Sequence, residues 1–220
     1  MTSRNEFGEF RRLPERPILE DLLGRMRPSD VFYDVGANVG VYACLADSVL
    51  DTDVVAFDPE PDNARRLAEN AALNDADVTL YRYALSDEAG TAEFAVRLFD
   101  GESQTGPAGH SLVAGHVTEG TTIAVETVVG DEFVASEGLP TPTVVKIDVE
   151  GAEWQVLTGL RETLSRPECR LVYCELHDAA LRSQGRSPDD VIALLEQLGY
   201  EVEVAFERAG DPFVRAERRE

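Results

Sequence analysis

Short apolar runs and amphipathic stretches take turns along most of this chain, and that alternation limits its fold more than any other feature. VFYDVG at 31–36, DVVAFD at 53–58, TVVKIDV at 143–149 and CRLVYCELH at 169–177 read as buried strands. Between them lie helical patterns. PILEDLLGRMR at 17–27 places Ile18, Leu19, Leu22, Leu23 and Met26 on one face. Further helices are expected over about 39–50, over PEPDNARRLAENAALN with Leu67, Ala68, Ala71 and Ala72 inward, and over about 151–165. SPDDVIALLEQLG at 187–199 opens on a serine cap and stops at Gly199. Apolar strands joined through helices predict an α/β fold: a mostly parallel sheet covered on both faces.

The remaining segments are simpler. VTLYRYAL at 78–85 reads as a third strand, GTAEFAVRL at 90–98 as an extra antiparallel one, and TTIAVETV at 121–128 as another. DEFVASEG forms a short helix, and YEVEVAFER with DPFVRAERR a closing hairpin. Residues 99–120 are rich in Gly, Ser and Thr, and such long loops are often functional. The chain divides into an N-terminal extension with one helix, 1–29, and a main domain, 30–220, with no internal repeat.

Composition narrows the partners. Asp and Glu number 42 against 20 Lys and Arg, a formal charge of -22. Such a surface repels phosphate backbones and anionic lipids, so neither nucleic acid nor membrane is an expected partner. Nineteen of the basic residues are arginine and one, Lys146, is lysine. A carboxylate excess of this size suits high salt, where screening weakens self-repulsion. Cys44, Cys169 and Cys174 sit in apolar contexts without metal-ligand spacing, so they read as reduced core residues and no metal site is assigned. The N-terminus lacks an apolar signal core, and no window approaches the ~18 apolar residues of a membrane span. The expectation is a soluble, cytoplasmic protein.

Two constellations carry chemistry. Asp34-Val35-Gly36-Ala37-Asn38-Val39-Gly40 follows the first strand and opens a helix, so its backbone can approach a ligand closely. The spacing is GxxxG, not the dinucleotide GxGxxG, and Asp34 opposes a pyrophosphate while suiting an ammonium. Asp58 ends the second strand, where a carboxylate can accept both hydroxyls of a ribose. An adenosine-like ligand with a cationic tail, such as S-adenosylmethionine, meets both requirements. The second constellation is Lys146 with Asp148 and, in the next strand, Glu175 with His177. Residues two apart on a strand share a face, so adjacent strands would gather all four at the carboxyl edge. A histidine beside carboxylates can serve as a general base or as hydrogen-bonded scaffold. Glu150 and Glu153 can equally be first-turn acids that stabilise a helix. His110 and His116, in the long loop, are weaker candidates.

FYDVGANVGVYACLA, AFDPEPDNARRLAENAALN, ALSDEAGTAEF, GHSLV, VVKIDVEGAEWQVLTGL and YCELH together resemble the FkbM-type family of S-adenosylmethionine-dependent methyltransferases, over roughly residues 30–205. The resemblance implies a Rossmann-like class I methyltransferase sheet of seven mostly parallel strands with a reversed last strand. It also implies methyl transfer to a hydroxyl oxygen of a small molecule or carbohydrate. By position, Asp34, Gly36, Asn38 and Gly40 would cradle the methionine part, Asp58 would hold the ribose, and Asp148 would lie beside the methyl. Asp58 departs from the family's more frequent glutamate, and the N-terminal region leaves no separate substrate domain. Rival readings are nitrogen methylation of a small molecule or RNA, a nicotinamide-dependent oxidoreductase, and a binding module without catalysis. A phosphate-loop nucleotidase is excluded because the lone lysine lies in no GxxxxGK[ST] loop, and a serine hydrolase because GxSxG is missing.

The charge balance makes a direct prediction. Folding is favoured by added salt, so the thermal midpoint climbs between about 0.1 M and about 3 M KCl. A flat or falling midpoint removes the high-salt reading.

Overall fold

A computed structural model of the protein describes residues 15–99, 102–103, 111–112, 120–208 and 210–218. The sheet that organises it is built from β1 (Val31–Val35), β2 (Asp53–Phe57), β3 (Val78–Tyr81), β8 (Val144–Ile147), β9 (Leu171–Glu175), β10 (Tyr200–Arg208) and β11 (Asp211–Arg218). Their spatial order is β10-β11-β9-β8-β1-β2-β3. All neighbours run parallel except β11, which is antiparallel to both β9 and β10. The expected seven strands with a reversed last one are therefore present.

Alternation along each strand sorts side chains onto two faces. Tyr33, Val35, Val55, Phe57, Val145, Ile147, Val172 and Cys174 join one buried cluster. It is covered by α4 (Gly130–Glu137), α5 (Glu153–Gly159), α6 (Arg161–Ser165) and α7 (Pro188–Gln197), through residues such as Val134, Leu157, Leu164 and Leu194. Phe32, Val54, Ala56, Val144, Leu171 and Tyr173 face the other way. They meet α1 (Arg16–Arg25), α2 (Val41–Leu50) and α3 (Pro61–Leu73). The N-terminal helix is thus part of the core, contributing Ile18, Leu19 and Leu22, and Asp21 accepts the Tyr173 hydroxyl at 2.5 Å.

Several expectations are corrected. The stretch 78–85 is two strands: β3 stays in the large sheet, while β4 (Ala84–Ser86) joins a second sheet ordered β4-β7-β5-β6, with β5 (Gly90–Phe99), β6 (Glu102–Ser103) and β7 (Gly120–Val129). The break lies where Tyr81 and Tyr83 both turn their rings onto Phe133, at 5.0 and 5.2 Å between centroids. Close backbone packing keeps β4 in place: a Cβ on Gly159 would lie 1.9 Å from the Ser86 carbonyl oxygen. The helix expected over 151–165 is divided at Leu160 into α5 and α6. Asp131 accepts the backbone N–H groups of Glu162 and Thr163, capping the second piece separately. In α3 the inward face is Ala64, Leu67 and Ala71, whereas Ala68 and Ala72 are exposed. Spacings of three and four from Leu67 select the first set. Strands β8 and β9 are also shorter than expected, so Asp148 and His177 lie just beyond them. Most of the 99–120 loop, including His110 and His116, lies outside the described residues. Among the described residues, no helix is long and apolar enough to cross a membrane.

Candidate active site

The carboxyl ends of β1, β2, β8 and β9 share one edge of the sheet, and the turns that leave them supply nearly every candidate residue. Gly36 adopts φ +77°. Its N–H and that of Ala37 both donate to the Phe57 carbonyl, at 2.9 and 3.0 Å, fastening this turn to the end of β2. A Cβ on Gly36 would stand 1.8 Å from the Asp148 carbonyl oxygen, so the turns after β1 and β8 touch backbone to backbone. Gly40, at φ +83°, opens α2, and a Cβ there would lie 2.6 Å from Leu67 Cγ. These two glycines are required by space and by conformation together.

Asp58 anchors the neighbouring turn. It is buried and accepts two backbone N–H groups, from Asn38 at 2.8 Å and from Glu60 at 3.0 Å. Glu60 in turn caps α3 by accepting the Asn63 N–H. Burial pushes the Asp58 carboxyl up to about 7 against the pull of those two hydrogen bonds. Each oxygen keeps a second lone pair, enough for the two hydroxyls of a ribose. Asn38, at φ +52°, leaves its side-chain oxygen buried with no hydrogen-bond partner among the described residues. A ligand donor placed in this turn satisfies that oxygen, so the turn fits the ammonium end of S-adenosylmethionine.

Lys146, almost fully buried, is the hub of the opposite wall. Its ammonium lies 3.5 Å from Asp34, 3.2 Å from Asp148 and 3.2 Å from the Gly36 carbonyl, with the Tyr42 ring beneath it at 5.0 Å. Burial opposes its charge, but Asp148 and Asp34 more than compensate and hold it protonated. Asp34 has no exposed surface; it also accepts the Ala43 N–H at the start of α2. Asp34 thus meets the ammonium of the chain's own Lys146.

The two i,i+2 pairs converge as expected. Asp148, Glu175 and His177 each offer an oxygen or ring nitrogen, and these atoms lie within 4.8 Å of one another. That set could hold a metal ion. His177 is buried between two carboxylates: Nδ1 lies 2.7 Å from Glu153 and Nε2 3.2 Å from Glu150. Burial disfavours the imidazolium, but the Glu153 hydrogen bond and the nearby carboxylates outweigh it and push the ring up to about 10. That favours the protonated ring, the opposite of what a base acting near neutral pH needs. Glu153 is fully buried and also accepts the Gly151 N–H at 2.7 Å, so it is more than a first-turn acid. Ser111 escaped the sequence reading as an individual residue. Its hydroxyl donates to the Glu150 carbonyl at 2.5 Å and its backbone pairs with Ala95, which places Ser111 on this turn. Ser111 lies in the GHSLV stretch, but nothing in that stretch points to Glu150 as its partner.

Comparison with known proteins agrees with this layout. Residues 34–202 match the family model for the methyltransferase FkbM domain. The hexuronic acid methyltransferase AglP of Haloferax volcanii is 33% identical over 205 residues, spanning 93% of this chain and 77% of the relative. The 31-O-demethyl-FK506 methyltransferase FkbM of Streptomyces tacrolimicus is 29% identical over 200 residues, spanning 80% and 75%. Among solved structures, magnesium protoporphyrin IX methyltransferase from Synechocystis, with bound S-adenosylmethionine, superposes with a TM-score of 0.54 at 10% identity, covering 94% of this chain and 81% of that one. That likeness is one of fold.

Two outcomes follow from the geometry. Lys146→Met keeps the side-chain volume but strips Asp34 and Asp148 of their counter-charge, and destabilises the fold by roughly 3–5 kcal/mol in urea denaturation; a loss well below 1 kcal/mol would remove the lysine as hub. Asp58 gives a pH dependence. Its native value of about 7 stands above the ordinary carboxylate value of about 4. Ligand-free stability therefore declines as pH rises across that window. Affinity for S-adenosylmethionine grows over the same window, because a diol donates to the ionised carboxylate. Calorimetry on Asp58→Asn should find that growth abolished.

Proposed function

The chain belongs to the FkbM methyltransferase family, and from that premise we propose that its acceptor is a hydroxyl oxygen of a sugar, with hexuronic acids the first class to test. It is an S-adenosylmethionine-dependent methyltransferase, so the hydride-transfer reading is set aside. The observation that carries the acceptor side is the carboxylate group of Asp148, Glu150 and Glu175 gathered beside the Gly36 turn. Such groups orient hydroxyls by accepting their protons in hydrogen bonds. Oxygen methylation and a sugar acceptor are supported by the relatives' activities, named for a hexuronic acid and for the 31-O position of FK506.

Bound S-adenosylmethionine supplies a methyl group on a sulfonium; as the acceptor oxygen bonds to that carbon, the carbon–sulfur bond breaks and sulfur keeps the electron pair. Asp58 and the Asn38 turn hold the two ends of the cofactor. Lys146 fixes Asp148 and the Gly36 carbonyl, and so sets the distance between cofactor and acceptor walls. The acceptor proton passes to a rim carboxylate and on to water. His177, clamped between Glu150 and Glu153, shapes the wall rather than accepting that proton.

Salt adaptation is part of the same reading, supported by the charge of -22 and by the relative from Haloferax. A cytoplasmic setting is supported by three buried cysteines that carry no disulfide.

The decisive experiment incubates the protein with methyl-labelled S-adenosylmethionine and a panel of hexuronic acids, neutral sugars, amines and RNA in molar KCl. Label on a sugar oxygen, located by mass spectrometry, is the expected result. Label on nitrogen or on RNA, with the sugars unmodified, would replace this reading.

A further inference from the structure

Carboxylates crowd the rim beside the acceptor. Asp34, Asp148, Glu150, Glu153 and Glu175 crowd one edge of the sheet with Lys146 and His177. The Lys146 ammonium reaches Asp34 and Asp148. S-adenosylmethionine adds a sulfonium and an ammonium but also a carboxylate. One oxygen of the fully buried Glu153 has no hydrogen-bond partner among the described residues.

The donors stand close enough to close onto one ion with at most about 0.6 Å of movement. Around one ion at about 2.1 Å, adjacent ligand atoms stand about 3 Å apart and opposite ones about 4.2 Å apart. The ligand atoms of Asp148, Glu175 and His177 all lie within 4.8 Å of one another. Glu150 adds an oxygen 3.2 Å from His177 Nε2, the length of one edge of such a polyhedron. The far side of the ring points the same way. Nδ1 is held by Glu153 at 2.7 Å, and a carboxylate on the remote nitrogen is the partner that orients a metal-binding histidine and fixes its tautomer. Glu153 is itself steadied by the Gly151 N–H, and the Glu150 turn by the Ser111 hydroxyl. This is a second layer of support that a surface acidic cluster lacks.

We propose that Asp148, Glu175 and His177 bind one divalent cation, with Glu150 beside them as a further oxygen ligand. Carboxylate oxygens with a single imidazole favour Mg2+ or Mn2+ over thiophilic metals. Neither strand end shows a metal-ligand spacing by itself; the set is completed by the pairing of β8 with β9. The ion takes over the counter-charge that a protonated ring would otherwise supply, as ligation requires a neutral imidazole. What the ion does there rests on the methyl-transfer reading. An acceptor hydroxyl bound to it loses its proton to water more readily, and the resulting oxygen then bonds to the methyl carbon as the carbon–sulfur bond breaks.

The test uses the full chain, stripped with EDTA and titrated with MnCl2 alone while electron paramagnetic resonance follows free Mn2+. One bound Mn2+ per chain is expected, displaced by Mg2+. Pulsed resonance on that wild-type sample should show coupling to one imidazole nitrogen, a readout that needs no variant. Glu175→Gln should weaken Mn2+ binding at least about tenfold, and His177→Gln should abolish the nitrogen coupling. No bound Mn2+ at about 1 mM, or bound Mn2+ without nitrogen coupling, overturns the site. Calorimetry with S-adenosylmethionine in EDTA separates the two readings. Retained cofactor binding with no Mn2+ site ends this inference alone, whereas loss of cofactor binding by the metal-loaded protein strikes at the methyltransferase reading instead. Turnover unaffected by EDTA, with the Mn2+ site intact, overturns the ion's part in the transfer.

Discussion

A single ammonium, with almost no water around it, holds the working edge of this molecule together. Lys146 lies on a central strand, and its charge is shared by Asp34 from β1, Asp148 from the turn after β8, and the Gly36 carbonyl. Those partners come from the two turns that touch at Gly36 and Asp148. Neither turn can shift without stretching the ion pairs, and Gly36 cannot take a side chain without parting the backbones. The two turns are consequently held together by one buried electrostatic contact. A surface salt bridge would be worth about 0–1 kcal/mol; this one is shielded from water and its loss strands two carboxylates.

The sequence made the architecture legible because the signals involved are local and repeated. Apolar runs of strand length, separated by helical periods, set the parallel sheet, and the i,i+2 pairs Lys146/Asp148 and Glu175/His177 foretold a shared rim. What it concealed depends on contacts between distant segments. The division of 78–85 between two sheets follows from Phe133 drawing in both Tyr81 and Tyr83, and no property of VTLYRYAL announces that partner. Asp34 is legible as a strand-end carboxylate suited to an ammonium, and the chain's own Lys146 comes beside it once β1 and β8 pair. Ser111 stands in the GHSLV stretch, but its reach across to Glu150 depends on the same kind of distant contact.

Charge acts in two regimes here. On the surface, excess carboxylates are solvated, and salt screens their repulsion within a distance of about 8 Å at physiological ionic strength. The exposed ion pairs, such as Arg16 with Glu20, contribute little. At the rim, Asp34, Glu153, Glu175 and His177 are buried, and the diffuse screening by bulk salt is weak there. Only fixed counter-charges serve there. A chain adapted to salt could dispense with lysine everywhere on its surface and still need Lys146 inside, which is the distribution the sequence displays.

The shorter carboxylate at the end of β2 fits the same logic of fixed partners. An aspartate has less reach than a glutamate would have, so the turn after β1 must come close to it. Asn38 does this by adopting φ +52° and donating its N–H to Asp58 at 2.8 Å, while the Gly36 and Ala37 N–H groups clasp the Phe57 carbonyl one residue earlier. The turn after β1 is thereby drawn over the end of β2. The left-handed backbone at Asn38 costs about 1–3 kcal/mol, a strain that persists because the surrounding hydrogen bonds over-determine it. Closeness gained through the backbone replaces reach given up by the side chain.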